Sequence, residues 1–389
     1  MAEWISKTLG EVTSFITKGI PPKYTVEENQ DTVRVLNQKC NRNFEISYGE
    51  SRIHDATLKK VPKDKLLRYG DVLINSTGTG TAGRVAQLFN VPVPTTIDGH
   101  MILIRPTNEI DSLYYGYAVK SHQKKIESLA EGSTGQTEIN RQRLQDGIVI
   151  TFPKEKVVQE AIGTFLFQID EKIKNNTLIN NNLEQQAMAL YKAWFVDFLP
   201  YNSVQPDNWT ISTLGEVSNM GAGGDKPKII STIQTKECPY PIYSNGLSEN
   251  GLYGYTNTPK ISDESVTVSA RGTIGFVCIR HTPYVPIVRL VTLIPNTEKI
   301  SAKYLYLYLK QLNITGTGTT QQQLTVPDFR KTEILVPDRE TISSFTDIIT
   351  PLFSKIWANE EENASLSATR DTLLPKLMSG ELDVSDIDL

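Results

Sequence analysis

Residues 155–198 read EKVVQEAIGTFLFQIDEKIKNNTLINNNLEQQAMALYKAWFVDF, without a proline. Apolar side chains fall at Ile162, Leu166, Ile169, Ile173, Leu183, Ala187, Leu190 and Trp194, in alternating steps of four and three. Asn176 and Asn180 fill the two middle positions of that stripe. The spacing predicts one long helix that, at 1.5 Å per residue, reaches roughly 60 Å. Its apolar seam is as narrow as a coiled coil's and needs a partner helix.

The partner lies in the same chain. Shifted by 183 positions, the pattern returns as Phe345, Ile349, Leu352, Ile356, Asn359, Asn363, Leu366, Arg370, Leu373 and Leu377. Folded antiparallel, Leu166 meets Leu373, Ile173 meets Leu366, Leu183 meets Ile356 and Ala187 meets Leu352. The outer pairs are Ile162 with Leu377 and Trp194 with Phe345. In that register Asn176 lies beside Asn363 and Asn180 beside Asn359. A buried asparagine lowers stability but pins register. Pro351 and Pro375 are predicted to break or kink the second helix, because proline removes a backbone donor and crowds the preceding turn.

Outside the helices the chain also repeats itself. Thr8-Leu-Gly-Glu-Val12 recurs as Thr213-Leu-Gly-Glu-Val217, each shortly after a tryptophan (Trp4, Trp209). Gly80-Thr-Ala-Gly83 returns as Gly272-Thr-Ile-Gly275, and the strand IVITFP ending at Pro153 as EILVP ending at Pro337. Each repeat is rich in Val, Ile, Thr and Tyr and broken by Gly and Pro, which reads as a mixed α/β domain. The predicted architecture is therefore α/β (mixed α+β): two homologous domains and two long helices in a pseudo-twofold antiparallel coiled coil. The segments are 1–153 for the first domain, 154–200 for its helix, 201–337 for the second domain, and 338–389 for its helix and an acidic tail.

The 389 residues carry a net charge of −4, but unevenly. The two domains are each +2, the first helix is −1 and the last segment is −7. Two mildly basic blocks permit binding to a polyanion without requiring it. No stretch approaches the roughly 18 apolar residues of a membrane span. Cys40, Cys238 and Cys278 stand far apart, which excludes a disulfide framework or zinc knuckle and fits a reducing cytoplasm.

Residues 72–84, VLINSTGTGTAGR, contain a literal G-x-G-x-x-G. A dinucleotide fold would open a helix there, yet the following VAQLFNVPVPTTIDG has two prolines and no helical period. The copy at 266–275 lacks the first glycine, so the loop reads as a tight turn presenting side chains. No Walker A loop, G-x-S-x-G elbow, zinc-binding histidine pair or Asn/Asp-Pro-Pro-aromatic methyltransferase loop appears. What the domains offer is hydrogen-bonding side chains on glycine-bearing loops. In the first these are Lys23, Asn75, Ser76, Thr77, Thr79, Arg84, Thr134, Gln136, Asn140, Arg141 and Arg143. In the second they are Lys226, Lys228, Tyr243, Ser244, Asn245, Tyr253, Tyr255, Ser269, Arg271, Thr273, Gln321, Gln322 and Gln323. Arginine suits guanine edges, Asn and Gln suit adenine edges, and lysines suit phosphates.

These motifs together carry a resemblance. G-D-V-L-I at 70–74 with G-T-A-G at 80–83, V-T-V-S-A-R-G-T-I-G at 266–275, P-I-Y-S-N-G at 241–246, L-Y-G-Y-T at 252–256 and Q-L-T-V-P at 323–327 belong to the domains. Y-K-A-W-F-V-D-F at 191–198 and L-L-P-K-L-M-S-G-E-L at 373–382 close the helices. The whole chain resembles the DNA-specificity subunit of a type I restriction–modification system. The resemblance implies two target-recognition domains, each reading half of a bipartite double-stranded DNA site, with the helices setting the gap. It implies a non-catalytic chain that docks two methyltransferase subunits and, in some systems, restriction or translocase subunits. S-adenosylmethionine, ATP and Mg are then expected on the partners and no cofactor on this chain. Other readings are a subunit of a type IIB-like complex, a free-standing DNA-modifying enzyme, and a coiled-coil scaffold with no DNA affinity. Target bases and gap length are not legible.

Overall fold

A computed structural model describes residues 3–131, 137–316 and 323–383. The chain forms two compact units, Met1–Asn175 with Glu362–Leu389 and Asn176–Glu361, so each unit takes part of both long helices.

In the first unit, Trp4–Thr8 pairs antiparallel with Val149–Pro153, closing the domain on itself. A four-stranded antiparallel sheet runs in the order Thr13–Lys18, Met101–Pro106, Val72–Asn75, Val85–Gln87. A second, mixed sheet runs Thr95–Ile97, Thr32–Leu36, Arg52–Asp55, Tyr24–Thr25. The second unit repeats the plan. Thr210–Thr213 pairs with Glu333–Val336, and four antiparallel strands follow the order Ser218–Ala222, Val291–Pro295, Ser265–Val268, Val277–Arg280. The smaller sheet is Leu252–Thr256, Tyr240–Tyr243, Val285–Pro286.

The recurring T-L-G-E-V has a physical reason. In both copies the leucine and valine are buried. In both, the glutamate turns back onto the threonine amide: Thr8 N donates to Glu11 Oε2 at 2.7 Å and Thr213 N to Glu216 Oε2 at 3.3 Å. In the second copy this completes a capping box at the start of a one-turn helix. The Thr8 amide holds Glu11 below the usual carboxylate range, and the Ser212 hydroxyl, donating at 2.7 Å, does the same for Glu216 with help from the Thr213 amide.

The quoted stretch is one helix, Lys156–Phe195, and its partner is Arg339–Ser379. In the first unit Ile162, Leu166 and Ile169 are buried in the same core as Leu374 and Leu377, with Ile173, Leu366 and Leu373 against it. Fully burying each such side chain is worth about 1.5–3 kcal/mol. Arg370, a charged residue at a heptad position, is explained by its neighbour: Nη1 donates to Asp170 Oδ1 at 2.6 Å. Asp170 also accepts from Tyr117 Oη at 2.7 Å and lies 3.5 Å from Lys120 Nζ. A helix of the domain, Ser112–Ser121, is thereby tied to the coiled coil through a partly buried charge cluster.

In the second unit Trp194 packs on Phe345 with ring centroids 5.7 Å apart, and Ala187 shares the core with Leu352. Asn359 Nδ2 donates to Asn180 Oδ1 at 2.8 Å, and Asn180 Nδ2 donates to the Ile356 carbonyl at 3.2 Å. Asn359 is fully buried, and its own Oδ1 has no partner among the described residues. Asn176 is also buried, Asn363 partly so, and each has an interaction partner.

Replacing Asn180 and Asn359 together by leucine removes that deficit. The expected result is a gain of about 1–3 kcal/mol, the penalty for a buried polar atom left without a partner. A thermal melt that moves down in the double variant would contradict this role.

The prolines do not break the second helix, which is continuous through Pro351 and Pro375. Buried side chains bracket both positions: Ile349 and Phe353 around the first, Leu374 and Leu377 around the second. Tertiary packing on both sides overrides the lost backbone bond.

Candidate nucleic-acid interface

The G-x-G-x-x-G stretch joins two antiparallel strands, Val72–Asn75 and Val85–Gln87, in a hairpin. Its counterpart joins Ser265–Val268 to Val277–Arg280 in the same way. No helix follows the glycines in either copy, so neither hairpin has the strand–turn–helix form of a dinucleotide site.

The two loops have matching backbone. Gly80 and Gly272 both lie at φ +70°, Gly83 at +87° and Gly275 at +85°. Gly83 N donates to the Asn75 carbonyl at 2.9 Å and Gly275 N to the Ser269 carbonyl at 3.0 Å. Asn75 and Ser269 are therefore equivalent, and the first loop is two residues longer. Gly78, at φ +106°, occupies that insertion, which is why the second copy lacks the first glycine.

Around each hairpin a row of turns is joined by hydrogen bonds. In the first unit, Ile20 bridges to Asp98, and Ser76 N donates to the His100 carbonyl at 2.9 Å. Ile139 N then donates to the Ser76 carbonyl at 2.8 Å, and Asn140 caps the helix that carries Arg141 and Arg143. In the second unit, Gly224 bridges to Ile287, and Val288 N donates to the Gly224 carbonyl at 2.9 Å. Asn245 Nδ2 donates to the Val288 carbonyl and its Oδ1 accepts from Ala270 N, both at 2.7 Å. Arg271, next in the chain, donates to Gln323 Oε1 at 3.2 Å.

This placement divides the candidate residues. Asn75, Ser76 and Ser269 are buried, so their side chains shape the loops from within. Asn75 Nδ2 donates to the Gln38 carbonyl at 3.1 Å, and Ser269 Oγ bonds the Thr273 carbonyl. Asn245 is committed to the two bonds above, and Ser244 donates its amide to Gly251. Thr77 meets His100 Nδ1 at 3.0 Å. Arg143 is ion-paired with Glu131. Tyr243 and Tyr255 are partly buried, with Arg280 stacked 3.6 Å over the Tyr243 ring; burial pushes both phenols up.

The exposed members are Lys23, Thr79, Asn140, Arg141, Lys226, Lys228, Tyr253, Arg271 and Thr273, with Arg84 half-buried and Gln323 partly so. Arg84 Nη2 donates to the Gly80 carbonyl at 2.9 Å. Lys226 Nζ sits 4.3 Å over the Tyr253 ring and 2.5 Å from its hydroxyl. Thr134, Gln136, Gln321 and Gln322 lie outside the described residues.

Residues not singled out in the sequence belong here too. Gln38 Nε2 donates to Thr77 Oγ1 and its Oε1 accepts from Thr81 Oγ1, both at 3.2 Å, so Gln38 holds its loop as Asn245 holds the other. The equivalence shows at the strand ends: Leu36-Asn-Gln38 leaves a strand as Tyr243-Ser-Asn245 does. His100 and Arg289 occupy matching turns before the central strands, and Arg289 is exposed at φ +61°. A non-glycine residue held in that region marks a constrained turn.

The electrostatics favour an anion. Among the described residues, no carboxylate oxygen lies within 4.0 Å of the charged groups of Arg84, Arg141, Lys226, Lys228, Arg271 or Arg289. By contrast, the buried scaffold cation Arg105 is paired with Asp71 at 2.6 Å. The described residues hold no metal-binding cluster, and all three cysteines are buried, with burial pushing the Cys40 and Cys278 thiols up. Such loops can bind and discriminate.

Comparison with known proteins decides the family. The family model described as the type I restriction modification DNA specificity domain matches residues 1–185 and again 206–368. The chain belongs to this family. Each matched stretch contains one of the two hairpin-and-turn rows. Relatives of the specificity-subunit chain include the MjaIX specificity subunit of Methanocaldococcus jannaschii, 24% identical over 98% of this chain and 93% of that one. The HindI specificity subunit of Haemophilus influenzae is 23% identical over 98% of this chain and 100% of its own. A crystal structure of the type I S subunit from M. genitalium shares the fold, with TM-score 0.61, 20% identity and coverage of 97% and 96%. No helix among the described residues is long and apolar enough to cross a membrane.

Proposed function

We propose that this chain is the sequence-reading, non-catalytic subunit of a type I complex, each unit reading one half of a bipartite double-stranded DNA target. The observation that carries the reading is the matched row of turns in both units, each bearing cations that have no carboxylate within 4.0 Å among the described residues. Arg84 and Arg141 serve the first row, and Lys226, Lys228, Arg271 and Arg289 the second. Backbone amides and lysines position phosphates, while arginines reach base edges. The long helices set the unread gap and dock two methyltransferase subunits, which supply the S-adenosylmethionine chemistry; ATP-driven restriction subunits join where the system has them.

Salt dependence tests this directly. In complex with the methyltransferase, binding to the cognate site should weaken as salt rises, with a logarithmic slope of about −0.9 per phosphate contact. Replacing Lys226 and Lys228 by alanine should make the slope shallower by about 2. Arg271→Ala should instead relax one position of the second half-site, by roughly 1–3 kcal/mol of discrimination. Affinity independent of salt would contradict the reading.

A further inference from the structure

The second unit displays an apolar surface beside its cations. Ile229, Ile230 and Ile233 are 53%, 40% and 68% exposed, and Tyr253 is 43% exposed. The display is held in place. Ser231 N donates to the Tyr255 carbonyl at 2.9 Å, and Tyr255 N returns a bond to Ser231 at 2.8 Å. Thr256 Oγ1 donates to the Ile229 carbonyl at 2.8 Å, and Ser231 Oγ to the Ile233 carbonyl at 2.6 Å. Three isoleucines fixed in the open on hydrogen-bonded backbone call for an occupant.

Two observations say what covers them. The segment continues directly into the row of turns, since Lys226 lies two residues after Gly224, the bridge partner of Ile287. Lys226, fixed over Tyr253, and Lys228 immediately precede the isoleucines in the same segment, and neither has a carboxylate within 4.0 Å among the described residues. An apolar surface edged by unpaired cations and continuous with a polyanion-binding row fits a base edge that is itself apolar. In the major groove that group is the 5-methyl of thymine.

We propose that Ile229, Ile230 and Ile233 determine specificity by packing on the 5-methyl group of a pyrimidine in the half-site read by the second unit. The proposal rests on the DNA-reading function above and adds the chemical group that is read.

The test uses the full chain with its methyltransferase and duplexes carrying the cognate site. Each thymine of the second half-site is replaced in turn by deoxyuridine, which removes only the methyl. At one position or more, binding should weaken about fourfold, the factor for one buried methyl-sized group. The variant Ile229→Ser/Ile230→Ser/Ile233→Ser should bind the thymine and uracil duplexes equally, with selection of the first half-site unchanged. A second half-site that is selected yet shows no uracil effect, or contains no A·T pair, overturns the proposal and leaves the DNA-reading function standing. A serine variant that keeps the uracil effect but loses the methyltransferase also overturns it, because the surface then covers protein. Loss of all sequence preference in the unaltered chain overturns the underlying function itself.

Discussion

Asp170→Ala should destabilise the first unit by about 3 kcal/mol. Removing one partner of a buried ion pair costs roughly 3–5 kcal/mol, because the other charge stays behind without compensation. The low end applies, since Asp170 keeps 20% side-chain exposure. Three groups lose their anchor at once: the Arg370 guanidinium at 2.6 Å, the Tyr117 hydroxyl at 2.7 Å and the Lys120 ammonium at 3.5 Å. Lys120 is the most vulnerable to the loss, because Nζ has no hydrogen-bond partner among the described residues and lies over the Phe44 ring at 4.2 Å and the Tyr117 ring at 5.5 Å. Burial already lowers the Lys120 pKa to about 8 from 10.5. Between those values the unfolded chain binds more protons than the folded one, so stability due to Lys120 rises with pH across that window. The slope is at most about 1.4 kcal/mol per pH unit. Lys120→Met should flatten it, and a denaturant series from pH 7 to 10 on both proteins measures the difference. Unchanged stability of Asp170→Ala would show that the cluster is solvated and holds nothing.

The second large effect concerns the hairpin glycines. Gly83→Ala should cost about 3 kcal/mol or more and abolish selection of one half-site. The left-handed backbone at φ +87° penalises any side chain by about 1–2 kcal/mol. A Cβ there would also stand 2.6 Å from the Glu127 Cα and 2.7 Å from its amide nitrogen, which adds roughly 1–3 kcal/mol of overpacking. Gly80→Ala is the control. It has φ +70° but nothing within 4 Å of the added carbon, so only the backbone penalty applies. Gly275→Ala and Gly272→Ala should repeat the contrast for the other half-site, since Gly275 faces the Ile314 carbonyl at 2.9 Å and Gly272 faces open space. Thermal melts with methylation profiling distinguish the four variants. Equal effects from Gly80→Ala and Gly83→Ala would remove the packing argument.

Much of the fold was legible because it is periodic or repeated. The heptads located both helices and the Trp194–Phe345 and Asn180–Asn359 neighbours, since a narrow stripe has few ways to be buried. The duplicated T-L-G-E-V marked a capped turn whose two apolar residues enter the core. The prolines were misleading because local propensity says nothing of Phe353 and Leu377, which hold the helix on either side. In the loops, residue type showed where polar side chains cluster but not which way they point. Asn75, Ser76 and Ser269 have the chemistry of base readers, yet all three are buried, and Asn75 and Ser269 are turned inward onto the backbone. Gln38, the counterpart of Asn245, was hidden because its equivalence appears only when strand ends are aligned rather than glycines. Arg289 was hidden for the same reason, its turn having His100 at the matching place.

The central claim, two half-sites read by two units of one chain, is tested most directly by methylome sequencing of cells with and without this chain and its methyltransferase. A single bipartite methylated motif should disappear when the chain is removed. Exchanging residues 1–153 for the corresponding domain of a relative should then change one half of that motif and leave the other intact. If no bipartite motif disappears, or if the exchange alters both halves together, the account is contradicted.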